Sequence, residues 1–141
     1  MAFAIDMTMC ADSIKDNDNG MNLTQSDATS YMDFLSQQAT NANMSIGLKN
    51  AGSIISSVLP VVQFSVAESC VKYSECATYD PFISAGKPVF SIQYPASILS
   101  NVCSTSGPGA GSGNFSTILK KQALDGWAEY CDGTTGNTGT S

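Results

Sequence analysis

The stretch Val58 to Cys76, VLPVVQFSVAESCVKYSEC, constrains this chain more than any other. It opens as an apolar run, VLPVVQFSV, of the kind that makes a buried strand. It then presents one carboxylate, Glu68, followed by Cys70 and Cys76. Parallel α/β proteins place catalytic groups this way, with an acid at the C-terminal end of a buried strand. The same pattern by chance would leave Glu68 as an exposed loop acid, so the rest of the chain decides.

Strand and helix signals alternate along the chain. Phe3 to Met9 is a short apolar piece and a strand candidate, and Asp12 to Gly20 is polar and turn-rich. Thr24 reads as an N-cap and Asp27 as its capping-box acid. Ala28, Tyr31, Met32, Leu35, Gln38 or Ala39, and Ala42 then recur at helical spacing, which predicts a helix over Gln25 to Asn41. Strands are expected at Ser45 to Lys49, Val61 to Val66, Pro88 to Tyr94 and Phe115 to Leu119. Ser53 to Leu59 should be a short helix ended by Pro60, and Val71 to Ala85 a loop with a short helix. Ala96 to Val102 reads as one or two helical turns, Ser104 to Gly113 as a flexible loop, and Leu124 to Tyr130 as a short amphipathic piece around Trp127. One domain, 1–131, is expected, followed by a disordered Gly/Thr tail over 132–141. This alternation fits βα units and a parallel sheet, whose strand C-termini share one rim. Lys49, Glu68, Tyr94 and Lys120 each stand at or just past a strand end and should converge there.

Composition closes off several function classes. The chain has no His, which removes Ser-His-Asp and Cys-His catalysis and most zinc chemistry. Its five cysteines include no Cys-x2-Cys pair, so no metal site is expected. A formal net charge of -6 disfavours nucleic acid and favours a cationic ligand. No apolar run reaches transmembrane length, so no membrane partner is expected. Five cysteines in a chain this short, with Asn-x-Ser/Thr sequons at Asn22, Asn43 and Asn114, point to an oxidising, extracellular setting. The N-terminus, MAFAIDMTMCADS, lacks a basic start and is interrupted by Asp6, so it does not read as a signal peptide. A secreted-looking chain without an export signal reads as a fragment.

The segments NDNG at Asn17 to Gly20, LT-x-x-D at Leu23 to Asp27, IGLKNAG at Ile46 to Gly52 and VVQF-x-V-x-E-x-C at Val61 to Cys70 carry a family resemblance. So do Y-x-EC-x-x-Y-x-PF at Tyr73 to Phe82, AGKPVF-x-I-x-YP at Ala85 to Pro95, and FSTILK with LDGW-x-x-YC up to Cys131. Together they resemble glycoside hydrolase family 114, the endo-α-1,4-polygalactosaminidase or α-galactosidase-like TIM barrels. The resemblance covers the second half of that barrel. It implies an incomplete (β/α)8 unit of four or five parallel strands with helices outside, and O-glycosyl hydrolysis of an α-linked galactosamine or galactose polysaccharide, with no cofactor. A partly deacetylated galactosamine polymer is cationic and would suit the acidic chain.

Glycosidases use two carboxylates across the scissile bond. The resemblance puts one at Glu68, as general acid/base. The second belongs just before NDNG, where this chain has TMCADSIKD; Asp12 and Asp16 are the candidates, and as readily turn acids. Lys49 and Asn50 end the GLKN strand as sugar contacts, with a structural Lys49–Glu68 salt bridge as the other reading of Lys49. Gln93 and Tyr94 are further substrate-binding candidates. Gln93 stands where the family often has Glu, and Ala67 where it has Asn. Cys70 and Cys76 should form a disulfide bracing the loop after Glu68, and Cys103 and Cys131 should tie the Gly-rich loop to the last segment, leaving Cys10 over. The altered second carboxylate predicts weak hydrolysis or none. A non-catalytic sugar-binding remnant and a truncated product without independent function are the alternatives.

Overall fold

Thr24 starts the helix that covers the sheet. In the computed structural model, which describes residues 1–6, 23–94, 102–123 and 125–139, helix α1 runs Gln25–Asn41. The Asp27 carboxylate accepts from the Thr24 backbone N–H at 2.8 Å, and the Thr24 hydroxyl accepts from the Asp27 N–H at 3.3 Å. This reciprocal capping box satisfies donors that the first helical turn leaves orphaned. The buried row is Ala28, Met32, Ser36 and Ala39, at the i, i+4, i+8, i+11 positions of one face. Ser36 belongs in that row because its hydroxyl donates to the Val61 carbonyl at 2.7 Å. Tyr31, expected on the apolar face, is instead 52% exposed and stacks on Phe34.

The strands are β1 (Ala2–Asp6), β2 (Ser45–Lys49), β3 (Phe64–Glu68), β4 (Val89–Gln93), β5 (Ser116–Leu119), β6 (Trp127–Tyr130) and β7 (Thr135–Asn137). They form one sheet in sequence order. β1 to β5 are parallel, and β6 and β7 add an antiparallel hairpin. The crossovers are α1, a 3-10 turn at Gly52–Ile54 leading into α2 (Ile55–Val58), and then α3 (Cys70–Tyr73), a 3-10 turn at Cys76–Tyr79 and α4 (Asp80–Ser84). Met32, Ile46, Leu48, Ile54, Val58, Val62, Phe82 and Val89 interlock in one core with Cys70 and Cys76. On β3 and β4 the buried residues alternate, so Ser65, Ala67, Val89, Ser91 and Gln93 share the core face. The opposite face carries Phe64 and Phe90, whose rings meet edge-on at 5.9 Å. Gly47 is required there: a Cβ would stand 2.3 Å from the Phe64 ring.

Several expectations change. Strand β3 begins at Phe64, not Val61, because Val61 and Val62 still donate to the Val58 carbonyl in the turn after α2. The Lys87 ammonium holds that turn by donating to the Leu59 and Val62 carbonyls. The shift makes Glu68 the last strand residue. The segment around Trp127 is a strand. Residues expected to be a disordered tail form β7, because Asp132 accepts from Thr134 at 2.8 Å and Gly133, at φ 83°, turns the chain back. The Gly-rich loop is folded into 3-10 turns at Gly107–Gly109 and Ser112–Asn114, with Gly111 against Ala77 where a Cβ would come within 2.6 Å. Cys10, Asp12, Asp16 and the expected turns at 96–101 lie outside the described residues. Among the described residues no helix is long and apolar enough to cross a membrane.

Disulfides join Cys70 to Cys76 and Cys103 to Cys131, over sequence separations of 6 and 28. Loop-closure entropy grows with separation, so the longer link should stabilise more, about 3–4 kcal/mol against about 2 kcal/mol. Urea unfolding of the Cys103→Ser/Cys131→Ser and Cys70→Ser/Cys76→Ser variants checks this order. The reverse order would show that the short link acts chiefly by holding the folded loop.

Candidate active-site rim

Parallel register brings three strand ends together. Lys49 pairs with Val66, and Glu68 with Ile92, so Lys49, Glu68 and Tyr94 emerge on the same face at the same edge. The Lys49 ammonium lies 2.7 Å from Glu68 Oε2. The Tyr94 hydroxyl donates to Glu68 Oε1 at 2.9 Å. Each carboxylate oxygen therefore has its own donor. The Lys49 and Glu68 side chains are 25% and 28% exposed, enough to meet a ligand and buried enough to weaken screening by water.

The backbone around this cluster is locked. The Asn50 N–H donates to the Val66 carbonyl at 2.8 Å, and the Asn50 side-chain oxygen accepts from the Glu68 N–H at 2.9 Å. The Ser69 N–H donates to the Ile92 carbonyl at 2.8 Å. Asn50, Ala51 and Ser69 all have φ between 53° and 59°, a region that disfavours side chains. Left-handed residues just after two neighbouring strands turn the chain sharply away from the rim. Such strain, of order 1–3 kcal/mol per residue, is characteristic of functional edges.

The predicted residues separate into groups. Glu68, Lys49 and Tyr94 meet directly. Asn50 accepts from the Glu68 N–H through its side-chain oxygen and so braces the strand end that carries Glu68. Gln93 is a correction: it is 2% exposed, and its amide donates to Ser91 Oγ at 2.8 Å and to Cys70 Sγ at 3.5 Å. Strand alternation turns it to the core face, beneath the rim, while its neighbour Tyr94 turns outward. Lys120 stands at the end of β5, but its ammonium donates to the Asp125 and Trp127 carbonyls at 2.8 and 2.5 Å and closes the β5–β6 turn. Asp12 and Asp16 lie outside the described residues. Among the described residues no group of His, Cys, Asp and Glu is arranged to hold a metal.

The sequence reading missed a cleft beside the cluster. It has a volume of about 370 Å³ and is lined by Asn50, Gly52, Ser53, Glu75, Thr78 and Tyr79. Its signal was the Cys70–Cys76 pair, which fixes the loop ending in Glu75 at the same rim.

Burial, then the hydrogen bond to Glu68 and the charge of Glu68, push the Tyr94 phenol above its ordinary value, against a smaller opposing pull from Lys49. Ionising Tyr94 would set a second anion against Glu68. The stability tied to the neutral phenol is therefore complete below the ordinary tyrosine value and is lost as pH rises through the raised one. Phenolate absorbance, compared between the chain and its Tyr94→Phe variant, should show Tyr94 ionising above the ordinary tyrosine value. Glu68→Gln should bring that titration down without normalising it, because burial remains the largest cause. An unchanged titration in Glu68→Gln would contradict the contact.

The family model described as Glycoside-hydrolase family GH114 matches residues 2–136. The chain is also similar to a solved structure, that of Aspergillus fumigatus Ega3 in complex with galactosamine, at 45% identity and a TM-score of 0.72. That similarity covers 85% of this chain and 52% of the Ega3 chain, so the chain spans about half the length of this relative. No curated protein matches the chain. Given the family match over nearly all of its residues, the chain belongs to glycoside-hydrolase family GH114.

Proposed function

We propose that this chain acts as a glycoside-hydrolase unit on α-linked galactosamine or galactose polysaccharide, with Glu68 as its reacting carboxylate. The observation that carries this reading is the Glu68 carboxylate held at the strand ends by Lys49 at 2.7 Å and Tyr94 at 2.9 Å. Support for an amino sugar comes from the galactosamine bound to Ega3 and from the net charge of -6, which suits a cationic polymer. The disulfides suit an extracellular setting.

Contact with an ammonium favours the ionised carboxylate. In that form Glu68 accepts a proton from water or stabilises positive charge developing on the sugar ring, and with a proton it assists the leaving oxygen. Tyr94 keeps the carboxylate pointed at the rim and remains a donor at neutral pH. The second carboxylate would come from Asp12 or Asp16, at about 5–5.5 Å for retention or about 6.5–9.5 Å for inversion. Five parallel strands support reading the chain as the second half of a barrel that closes with eight. The altered sequence at the second carboxylate supports slow hydrolysis by the 141-residue chain alone. A non-catalytic sugar-binding role is the second reading, favoured by the pairing of both Glu68 oxygens with protein donors.

Reducing-end release from α-1,4-polygalactosamine by the purified chain tests this proposal. The expected rate is far below that of full-length family members, and Glu68→Gln should abolish it, since acid–base assistance is worth roughly 10²–10⁴-fold. Rates near those of full-length relatives would refute the slow-hydrolysis reading. Polymer binding without turnover would select the second reading, and absence of binding would refute both.

A further inference from the structure

Two of the three Asn-x-Ser/Thr sequons are built on one structural plan. In the first, Asn43 ends the turn after α1, Met44 follows, and Ser45 is the first residue of β2. In the second, Asn114 ends the 3-10 turn at Ser112–Asn114, Phe115 follows, and Ser116 is the first residue of β5. The middle residues, Met44 and Phe115, are half-buried and pack against the core. The asparagine before each of them is exposed. The local backbone is fixed: the Asn43 N–H donates to the Thr40 carbonyl at 3.0 Å, the Met44 N–H to Ala39 at 2.9 Å and the Phe115 N–H to Ser112 at 3.0 Å. Asn43 has φ 54°, a left-handed conformation that asparagine adopts more readily than most other residues with a side chain. Asn22, in the third sequon, lies outside the described residues.

The two asparagines also share one edge of the sheet. β2 and β5 belong to its parallel part, so their starts lie on one edge and the Lys49–Glu68–Tyr94 cluster lies on the other. β2 has five residues, which at about 3.3 Å per residue separates the two edges by roughly 13 Å. An N-linked glycan is bulky and hydrophilic, so its acceptor must face solvent in the folded chain. Asn43 and Asn114 meet that condition, with their core contacts made by the next residue instead. Glycans there would leave the Glu68 rim clear. The two disulfides suit the oxidising compartment in which such transfer takes place.

We propose that Asn43 and Asn114 are N-glycosylation sites, which place two glycans on the strand-start edge of the sheet. The acceptor atom is the asparagine amide nitrogen, and the donor is a lipid diphosphate-linked oligosaccharide. The nitrogen loses a proton and bonds to C1 of the donor's first sugar. The bond from C1 to the diphosphate oxygen breaks, and the lipid diphosphate leaves with its electron pair. Ser45 and Ser116 complete the two acceptor motifs. Asn41 is exposed two residues before Asn43 but is followed by Ala42 and Asn43, so it stays unmodified. The inference rests on the extracellular setting proposed above and is independent of the polysaccharide reading.

Peptide mapping tests this on the full chain, produced behind a cleavable leader in a eukaryotic secretory host. Enzymatic release of N-glycans in heavy-oxygen water turns each glycosylated asparagine into a labelled aspartate. In chains with both disulfides formed, Asn43 and Asn114 should be labelled in most molecules and Asn41 in none. Ser45→Ala should remove the label at Asn43 alone, and Ser116→Ala the label at Asn114 alone. A disulfide-bonded chain without label at either asparagine refutes that site and leaves the extracellular setting standing. Label confined to molecules that lack the disulfides would show that the fold excludes the glycans, and would refute the proposal. If the disulfides do not form in that host, the extracellular setting falls and the inference with it.

Discussion

Parallel pairing of β3 with β2 on one side and β4 on the other sets everything at the rim. It fixes Lys49 beside Val66 and Glu68 beside Ile92, and the pleat then puts Lys49, Glu68 and Tyr94 on one face. A one-residue slip would send Glu68 into the core face among Ala67, Ser91 and Gln93. The register is held from both faces. Ser65 donates to the Leu48 carbonyl at 3.0 Å on the buried side, and Phe64 lies over Gly47 on the other. At the strand ends the Asn50 side chain finishes the pairing by taking the Glu68 N–H.

Much of this was legible in the sequence where local chemistry and tertiary packing agree. The Thr24–Asp27 capping box marked the start of α1, and both α1 and the SIGLK strand appear at their expected limits. Proximity of Lys49, Glu68 and Tyr94 followed from strand spacing alone. Departures occur where a distant residue decides. Val61 and Val62 look like strand residues, yet the Lys87 ammonium, brought from the start of β4, keeps them in a turn. Gln93 and Tyr94 are adjacent in sequence, and only the pleat shows that one faces the core and the other the rim. The C-terminal residues have tail-like composition, but Gly133 and the Asp132–Thr134 contact fold them onto β6.

The two disulfides divide the work at the rim. Cys103–Cys131 ties the Gly-rich loop to the end of β6, and that loop leans on the segment after α3 through Gly111 and Ala77. Cys70–Cys76 fixes the turn that carries Glu75. Polar side chains at the rim are thereby held on short, braced loops, which would limit the ordering cost of binding the proposed polysaccharide.

The central claim is that the Lys49–Glu68–Tyr94 cluster is where the polysaccharide binds. Carbon-13 NMR of the labelled chain, following the Glu68 carboxyl and the Tyr94 ring during titration with an α-1,4-galactosamine oligosaccharide, tests it most directly. The account predicts saturable shifts at Glu68 and Tyr94, with the exposed Tyr31 on α1 unmoved. Shifts centred on Tyr31, with Glu68 and Tyr94 unchanged at saturation, would contradict it.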